Sequence, residues 1–159
     1  MSTNAPQTPL PSTEDMRFAI VTAQWNSHIT HALREGAVEV LRKAGVSDDD
    51  IALFDVPGAV ELTFAASQLI ETSNFDAVIV FGCVIRGGTP HFDYVCQSVT
   101  QGVTMLNADC DIPVIFGVLT VDTEQDAIDR AGGRLGNKGC EAAEAAIHMV
   151  DFARRTRDI

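Results

Sequence analysis

The wholly apolar run Ala77-Val78-Ile79-Val80-Phe81 constrains the fold more than any other stretch of this chain. A half-buried strand alternates apolar and polar residues. A run with no polar member reads as a strand covered on both faces, as in a parallel sheet flanked by helices. This run continues without a break into Gly82-Cys83-Val84-Ile85-Arg86-Gly87-Gly88-Thr89-Pro90-His91-Phe92-Asp93-Tyr94-Val95. Ligands of open α/β sheets bind beyond the carboxyl ends of the strands. Adjacent glycines let the backbone approach an anion, and a helix amino terminus offers unpaired N–H donors. A histidine placed there can move protons near neutral pH. A Gly-Gly turn alone also fits a tight strand-to-helix connection with a satisfied histidine. With Arg86, Thr89 and His91 converging on it, a site for a small anionic molecule is the expectation.

The rest of the chain supplies the elements such a sheet requires. Residues 17–22, 51–56 and 114–120 are further apolar strand candidates, the second closed by Pro57-Gly58 and the third introduced by Pro113. Between residues 29 and 44, Ile29, Ala32, Leu33, Ala37, Val40, Leu41 and Ala44 recur at helical spacing, and Gly45 stops the helix. A second helix starts near Ala59, and a third covers residues 95–106. Asp122 or Thr123 caps a short fourth helix ending at Gly132-Gly133, and Asn137 opens the last one, which is rich in alanine. Strands alternating with helices through short, right-handed connections predict an α/β fold. Its form is a three-layer α/β/α sandwich, flavodoxin-like, with a parallel sheet of four core strands. Residues 16–159 form the single domain; residues 1–15, polar and carrying Pro6, Pro9 and Pro11, read as a flexible arm.

Charge narrows the partners. With 11 basic and 22 acidic residues, the net charge is −11, which argues against nucleic-acid or anionic-membrane binding. No apolar run is long enough to span a bilayer, and residues 1–15 lack the basic start and apolar stretch of a secretory signal, so a cytoplasmic protein is expected. The four cysteines show neither C-x-x-C pairing nor metal-ligand spacing and read as reduced thiols. The run Asp48-Asp49-Asp50 reads as a solvated loop, because three adjacent carboxylates cannot all face one ion.

Four strand ends offer chemistry. After the first come Trp25 and Asn26; the indole either stacks on a planar heterocycle or plugs the core. After the second come Ala59, Val60 and Glu61, the carboxylate serving as an acceptor for hydroxyls or as a plain helix-start glutamate. After the third come residues 86–91. After the fourth come Phe116 and a segment in which Arg130, Arg134 and Lys138 are interleaved with Gly132, Gly133, Gly136 and Gly139. The glycines make that segment a loop. In so acidic a chain, such cations suit a phosphate-bearing substrate, unless they serve interface or cap ion pairs such as Arg130 with Glu141. The first strand is followed by no G-x-G-x-x-G, and there is no Walker loop and no nucleophile elbow.

Taken in order, these segments resemble the lumazine synthase family. The resemblance runs from Phe18 to Val150 and is carried by Trp25-Asn26 with Ile29-Thr30, Pro57-Gly58-Ala59-Val60-Glu61-Leu62, residues 82–95, Pro113 with residues 116–120, Glu124-Gln125 with Arg130-Ala131-Gly132, and Gly136-Asn137-Lys138-Gly139. It implies condensation of 5-amino-6-ribitylaminouracil with 3,4-dihydroxy-2-butanone 4-phosphate, giving 6,7-dimethyl-8-ribityllumazine, phosphate and water, with no metal or organic cofactor. By the same resemblance, Trp25 and Asn26 border the pyrimidine, on which Trp25 stacks. Ala59, Val60 and Glu61 hold the ring and ribityl chain, and Val84 and Ile85 meet the uracil edge. Gly88, Thr89 and Arg130 bind phosphate, and His91 moves protons. Phe116, Arg134 and Lys138 complete the pocket, several of these residues coming from a neighbouring subunit. The sequence departs from the family pattern at Thr63, where many members carry proline, and at Arg134, where lysine is frequent.

The resemblance further implies pentamers, in some members assembled into sixty-subunit shells, with the arm lying along a neighbour and a riboflavin synthase as a partner. The short 132–139 connection resembles that of shell-forming members. Two other activities suit the same residues less well. A noncatalytic flavin-binding or shell protein has no use for His91 and Arg130. An archaeal-type riboflavin synthase, acting on two lumazines, has no phosphate to meet Thr89 and Arg130.

Overall fold

A computed structural model describes residues 8–159, so residues 1–7 of the expected arm lie outside the described residues. Four strands, β1 (Phe18–Ala23), β2 (Ile51–Val56), β3 (Ala77–Ile85) and β4 (Val114–Val121), form one parallel sheet in the order β2-β1-β3-β4. Helices α1 (Ser27–Lys43), α2 (Leu62–Glu71), α3 (His91–Asp109), α4 (Glu124–Arg130) and α5 (Lys138–Arg157) cover it. The three-layer flavodoxin-like sandwich expected from the sequence is present.

The apolar run works as its composition implies. Ala77, Ile79, Phe81 and Cys83 of β3 point into a core shared with α1 and α5. Val78 and Val80 point into the opposite core, against Leu62 and Ala66 of α2 and Val99 and Val103 of α3. Both faces of the strand are dry, so neither can be polar. Helix α1 takes the chain from β1 to β2 on one face, and α2 then carries it back past β1 to β3 on the other. A right-handed crossover that changes direction must change face. The reversal leaves a crevice at the carboxyl ends of β1 and β3, where ligands of this architecture sit.

Three local departures from the sequence reading affect the site. Strand β3 extends to Ile85 because residues 82–85 go on pairing with 118–121 of β4. Helix α3 begins at His91, four residues before the expected Val95, so the histidine is the first helical residue. The expected loop at residues 132–139 is a small antiparallel hairpin, β5 (Ala131–Gly133) with β6 (Gly136–Asn137), before α5. Gly132 and Gly136 hold φ of 104° and 80°, values that side chains other than glycine resist, and these close the reversal.

Within residues 8–15, the end nearest the domain is held in place. Thr13 Oγ1 donates to the Ala44 carbonyl at 2.7 Å, and Arg154 donates to the carbonyls of Glu14 and Asp15, both at 2.7 Å. Among the described residues no helix is long and apolar enough to cross a membrane, and no group of His, Cys, Asp and Glu is arranged to hold a metal ion.

Candidate active site

At the crevice, β1 passes into α1 through Trp25 and Asn26. Asn26 adopts a left-handed conformation (φ 57°), and its side-chain amide donates to the Cys83 carbonyl at 3.0 Å, tying the end of β1 to β3. Trp25 N–H donates to the Pro57 carbonyl at 3.1 Å, which ties it to the end of β2. The indole is 74% exposed, so it faces solvent at the rim and does not plug the core. It borders an open hollow of about 520 Å³, shared with Asn26, Ser27, His28 and Pro57.

Gly58 explains how Trp25 and Glu61 come together. A Cβ at this position would lie 3.1 Å from Glu61 Oε2 and 3.2 Å from Trp25 Cδ1, so the indole and the carboxylate flank the same bare backbone. Ala59 is buried against the floor at Gly82, while Val60 and Glu61 are exposed in a 3-10 turn leading into α2. Val84 and Ile85 are half-buried at the end of β3, and Gly88, Thr89 and His91 stand exposed beyond them. No side chain caps α3; Asp93 N–H donates to the Pro90 carbonyl at 3.0 Å, which leaves the N–H groups of His91 and Phe92 available at the helix start.

Phe116 is in a different place from the one expected. It is the third residue of β4 and lies well short of the carboxyl rim. It lines a cleft of about 340 Å³ along the free edge of β4, with Arg130 of α4 and Lys138 and Glu141 of α5. Val21, Val80 and Phe116 share one register line across β1, β3 and β4. Trp25 lies past the end of β1, itself two residues beyond Val21, so at least about 7 Å along the strands and about 10 Å across them separate it from Phe116, on the order of 12 Å or more in all. The predicted residues therefore form two groups, one at the crevice and one along the β4 edge.

The cations of the second group are held by carboxylates and carbonyls. Arg130 Nη1 donates to the Asp126 carbonyl at 2.7 Å. Lys138 Nζ reaches both oxygens of Glu141, at 2.8 and 2.9 Å, so Glu141 partners Lys138 and not Arg130. Arg134 turns away from the cleft to meet the buried Asp129 at 2.8 Å. That bond, supported by Gln125, holds the Asp129 carboxyl below the usual carboxylate range. Burial, with Glu124 adding to it, pushes the Cys83 thiol up to about 11, so it is not a nucleophile near neutrality.

The sequence reading missed Gly58 as a determinant of the site and Asp129 as the partner of Arg134, and it offered Glu141 to Arg130 where Lys138 takes it. Gly58 carried a usable signal, since it stands between two strand-end candidates. The carboxylate pairings carried none, because they depend on how α4, the hairpin and α5 fold back on one another.

A doubly wound α/β/α domain with an exposed indole, a carboxylate and an uncapped helix start at its switch point defines a flavodoxin-like enzyme acting on small molecules. A family model for 6,7-dimethyl-8-ribityllumazine synthase matches residues 15–154. Proteins of that name from Parabacteroides distasonis, Bacteroides fragilis and Phocaeicola vulgatus are 58%, 57% and 55% identical to this chain. The alignments cover 91%, 86% and 92% of it and 90%, 96% and 87% of the respective relatives. The chain belongs to the 6,7-dimethyl-8-ribityllumazine synthase family.

Proposed function

We propose that this enzyme of riboflavin biosynthesis condenses 5-amino-6-ribitylaminouracil with 3,4-dihydroxy-2-butanone 4-phosphate at a site divided between two copies of the chain. The observation that carries the reading is the exposed Trp25 beside Glu61 across Gly58, which suits a planar heterocycle bearing a hydroxylated chain. Val84 and Ile85 offer the ring an apolar edge. The N–H groups of His91 and Phe92 at the start of α3, next to Gly88 and Thr89, suit a phosphate dianion.

In this reading the uracil amine attacks the ketone, and loss of water gives an imine. Loss of a proton from carbon then expels phosphate, and the second amine closes the ring with loss of a second water. His91, at the mouth of this turn, relays protons between these steps, an effect worth about 10²–10⁴ in rate. Backbone donors and a cation aimed at the leaving phosphate lower its expulsion barrier, and holding two reactants together supplies much of the rest.

The separation of on the order of 12 Å or more between Trp25 and Phe116 supports a shared site. A ligand stacked on one copy's indole meets Phe116, Arg130 and Lys138 only if a second copy presents its β4 edge. Such head-to-tail contacts close into rings, in keeping with a pentamer, with or without a sixty-subunit shell around a riboflavin synthase partner. Arg134 enters as support for the hairpin, and a cytoplasmic location belongs to the same reading.

Purified protein given both substrates should form the lumazine chromophore. Trp25→Ala and Lys138→Ala chains, each inactive alone, should regain activity when co-assembled, since about a quarter of head-to-tail contacts then pair two intact halves. No chromophore from intact protein would overturn the condensation. Riboflavin formed from lumazine alone would point to the other reaction. No recovery on mixing would overturn the shared site.

A further inference from the structure

We propose that Arg86 is a positioning residue for this reaction: it staples the turn that presents Thr89 and His91. The inference rests on the condensation reading. Arg86 follows β3 directly, and its N–H donates to the Val121 carbonyl at 2.9 Å. Its guanidinium makes three contacts. Nε donates to Asp122 at 2.7 Å, in the connection between β4 and α4, and Nη1 donates to Asp93 at 3.4 Å, in the first turn of α3. The plane also lies over the Phe92 ring, 4.2 Å from its centroid.

These contacts bracket residues 87–91 from both ends. The turn has little to hold it otherwise. Residues 87–91 are all exposed, and a Cβ on Gly87 or Gly88 would meet nothing within 4 Å. Among the described residues no side-chain hydrogen bond reaches them. Two glycines in an unpacked turn leave it broad conformational freedom, and Arg86 closes its base.

A guanidinium already shared by two carboxylates and an aromatic face is poorly placed to receive substrate phosphate as well. Its fork geometry serves to hold two elements at a fixed separation. Arg86 is half exposed and its two carboxylate partners more so, so each pair adds little to global stability. That separates a positioning role from a merely structural one: loosening the staple should change turnover and leave melting nearly unchanged. A misplacement of about 1 Å in a reacting group can cost about a hundredfold in rate.

The test uses Arg86→Ala, Arg86→Lys and Asp122→Asn in the intact assembly. Arg86→Ala should lower kcat/KM about tenfold or more, and amides 87–92 should exchange hydrogen faster, at an unchanged melting temperature. Arg86→Lys keeps the charge without the fork and should fall between it and wild type. Asp122→Asn should raise KM for the phosphate substrate. Were Arg86 itself the phosphate ligand, freeing it from Asp122 would lower that KM instead, and this sign would overturn the proposal. So would kcat/KM for Arg86→Ala within about twofold of wild type. Should Arg86→Ala fail to fold, Asp122→Asn and Phe92→Leu decide by the same measurements. If wild-type protein makes no lumazine, the condensation reading fails, and hydrogen exchange of residues 87–92 still decides whether Arg86 holds the turn.

Discussion

Gly139→Ala should damage this protein more than its small size suggests. Gly139 is the second residue of α5, where that helix crosses α1 at the closest approach of any glycine in the fold. A Cβ there would lie 1.8 Å from the Leu33 carbonyl oxygen, 2.5 Å from its carbon and 2.8 Å from Leu33 Cα. All three are backbone atoms, so no side chain can swing aside. Reaching 3.0 Å, below which such contacts essentially never lie, requires the helices to part by 3.0 − 1.8 = 1.2 Å. That movement also pulls on Asn137, which cannot then keep both its cap of α5 and its bond to α1. Asn137 Oδ1 accepts from Gly139 N–H at 2.8 Å while its Nδ2 donates to the Ala32 carbonyl at 3.0 Å, and Gly36 is bare to admit that side chain. Overpacking of this kind costs about 1–3 kcal/mol, and losing one of the two Asn137 bonds about 1 kcal/mol. The sum, about 3 kcal/mol, corresponds to a drop of roughly 6–12 °C in Tm for a domain of this length. Thermal unfolding should be followed at one protomer concentration, because assembly makes Tm concentration-dependent. Gly87→Ala, where a Cβ meets nothing, serves as the control. Gly139→Ala melting within about 1 °C of wild type would show slack in the α1–α5 contact that the structure does not allow.

Two further outcomes are expected. Gly58→Ala meets Glu61 and Trp25 at 3.1 and 3.2 Å from an extended backbone (φ −149°) that alanine also adopts. It should leave Tm unchanged and raise KM for the ribitylaminouracil about tenfold; steady-state kinetics with the phosphate substrate saturating would show it, and an unchanged KM would count against the Trp25–Glu61 pairing. Asp129 is held below the usual carboxylate range by Arg134, then Gln125, so its contribution to stability is present above its ordinary pKa of about 3.9 and is lost as pH falls through the lower folded value. Asp129→Asn should therefore melt below wild type at pH 7, and the gap should close below about pH 4; a gap that stays constant across a pH series would argue against this pairing.

Local pattern alone is enough to set the sheet. An apolar run with no polar member has no stable place except between two helical layers, and the alternation of strands and short connections sets parallel topology and the crevice at the carboxyl ends. Trp25, Glu61, Thr89 and His91 could be read as rim residues on that basis, because a position just after a strand is a local property of the chain. Whether Trp25 faces the core or the solvent was not local, and neither was where β3 ends. Strand β3 runs on to Ile85 because β4 supplies hydrogen-bond partners that no window of residues 77–85 contains. Phe116 shows the same limit. Near the start of its strand, it faces the β4 edge at a distance set by register and strand spacing, so only the folded sheet separates it from Trp25. The cations chose their partners, Glu141, Asp129 and Asp126, through the folding back of α4, the hairpin and α5. Local pattern names the elements and their order, whereas long-range packing decides which side chains meet, since those distances depend on the whole sheet and its covering helices at once.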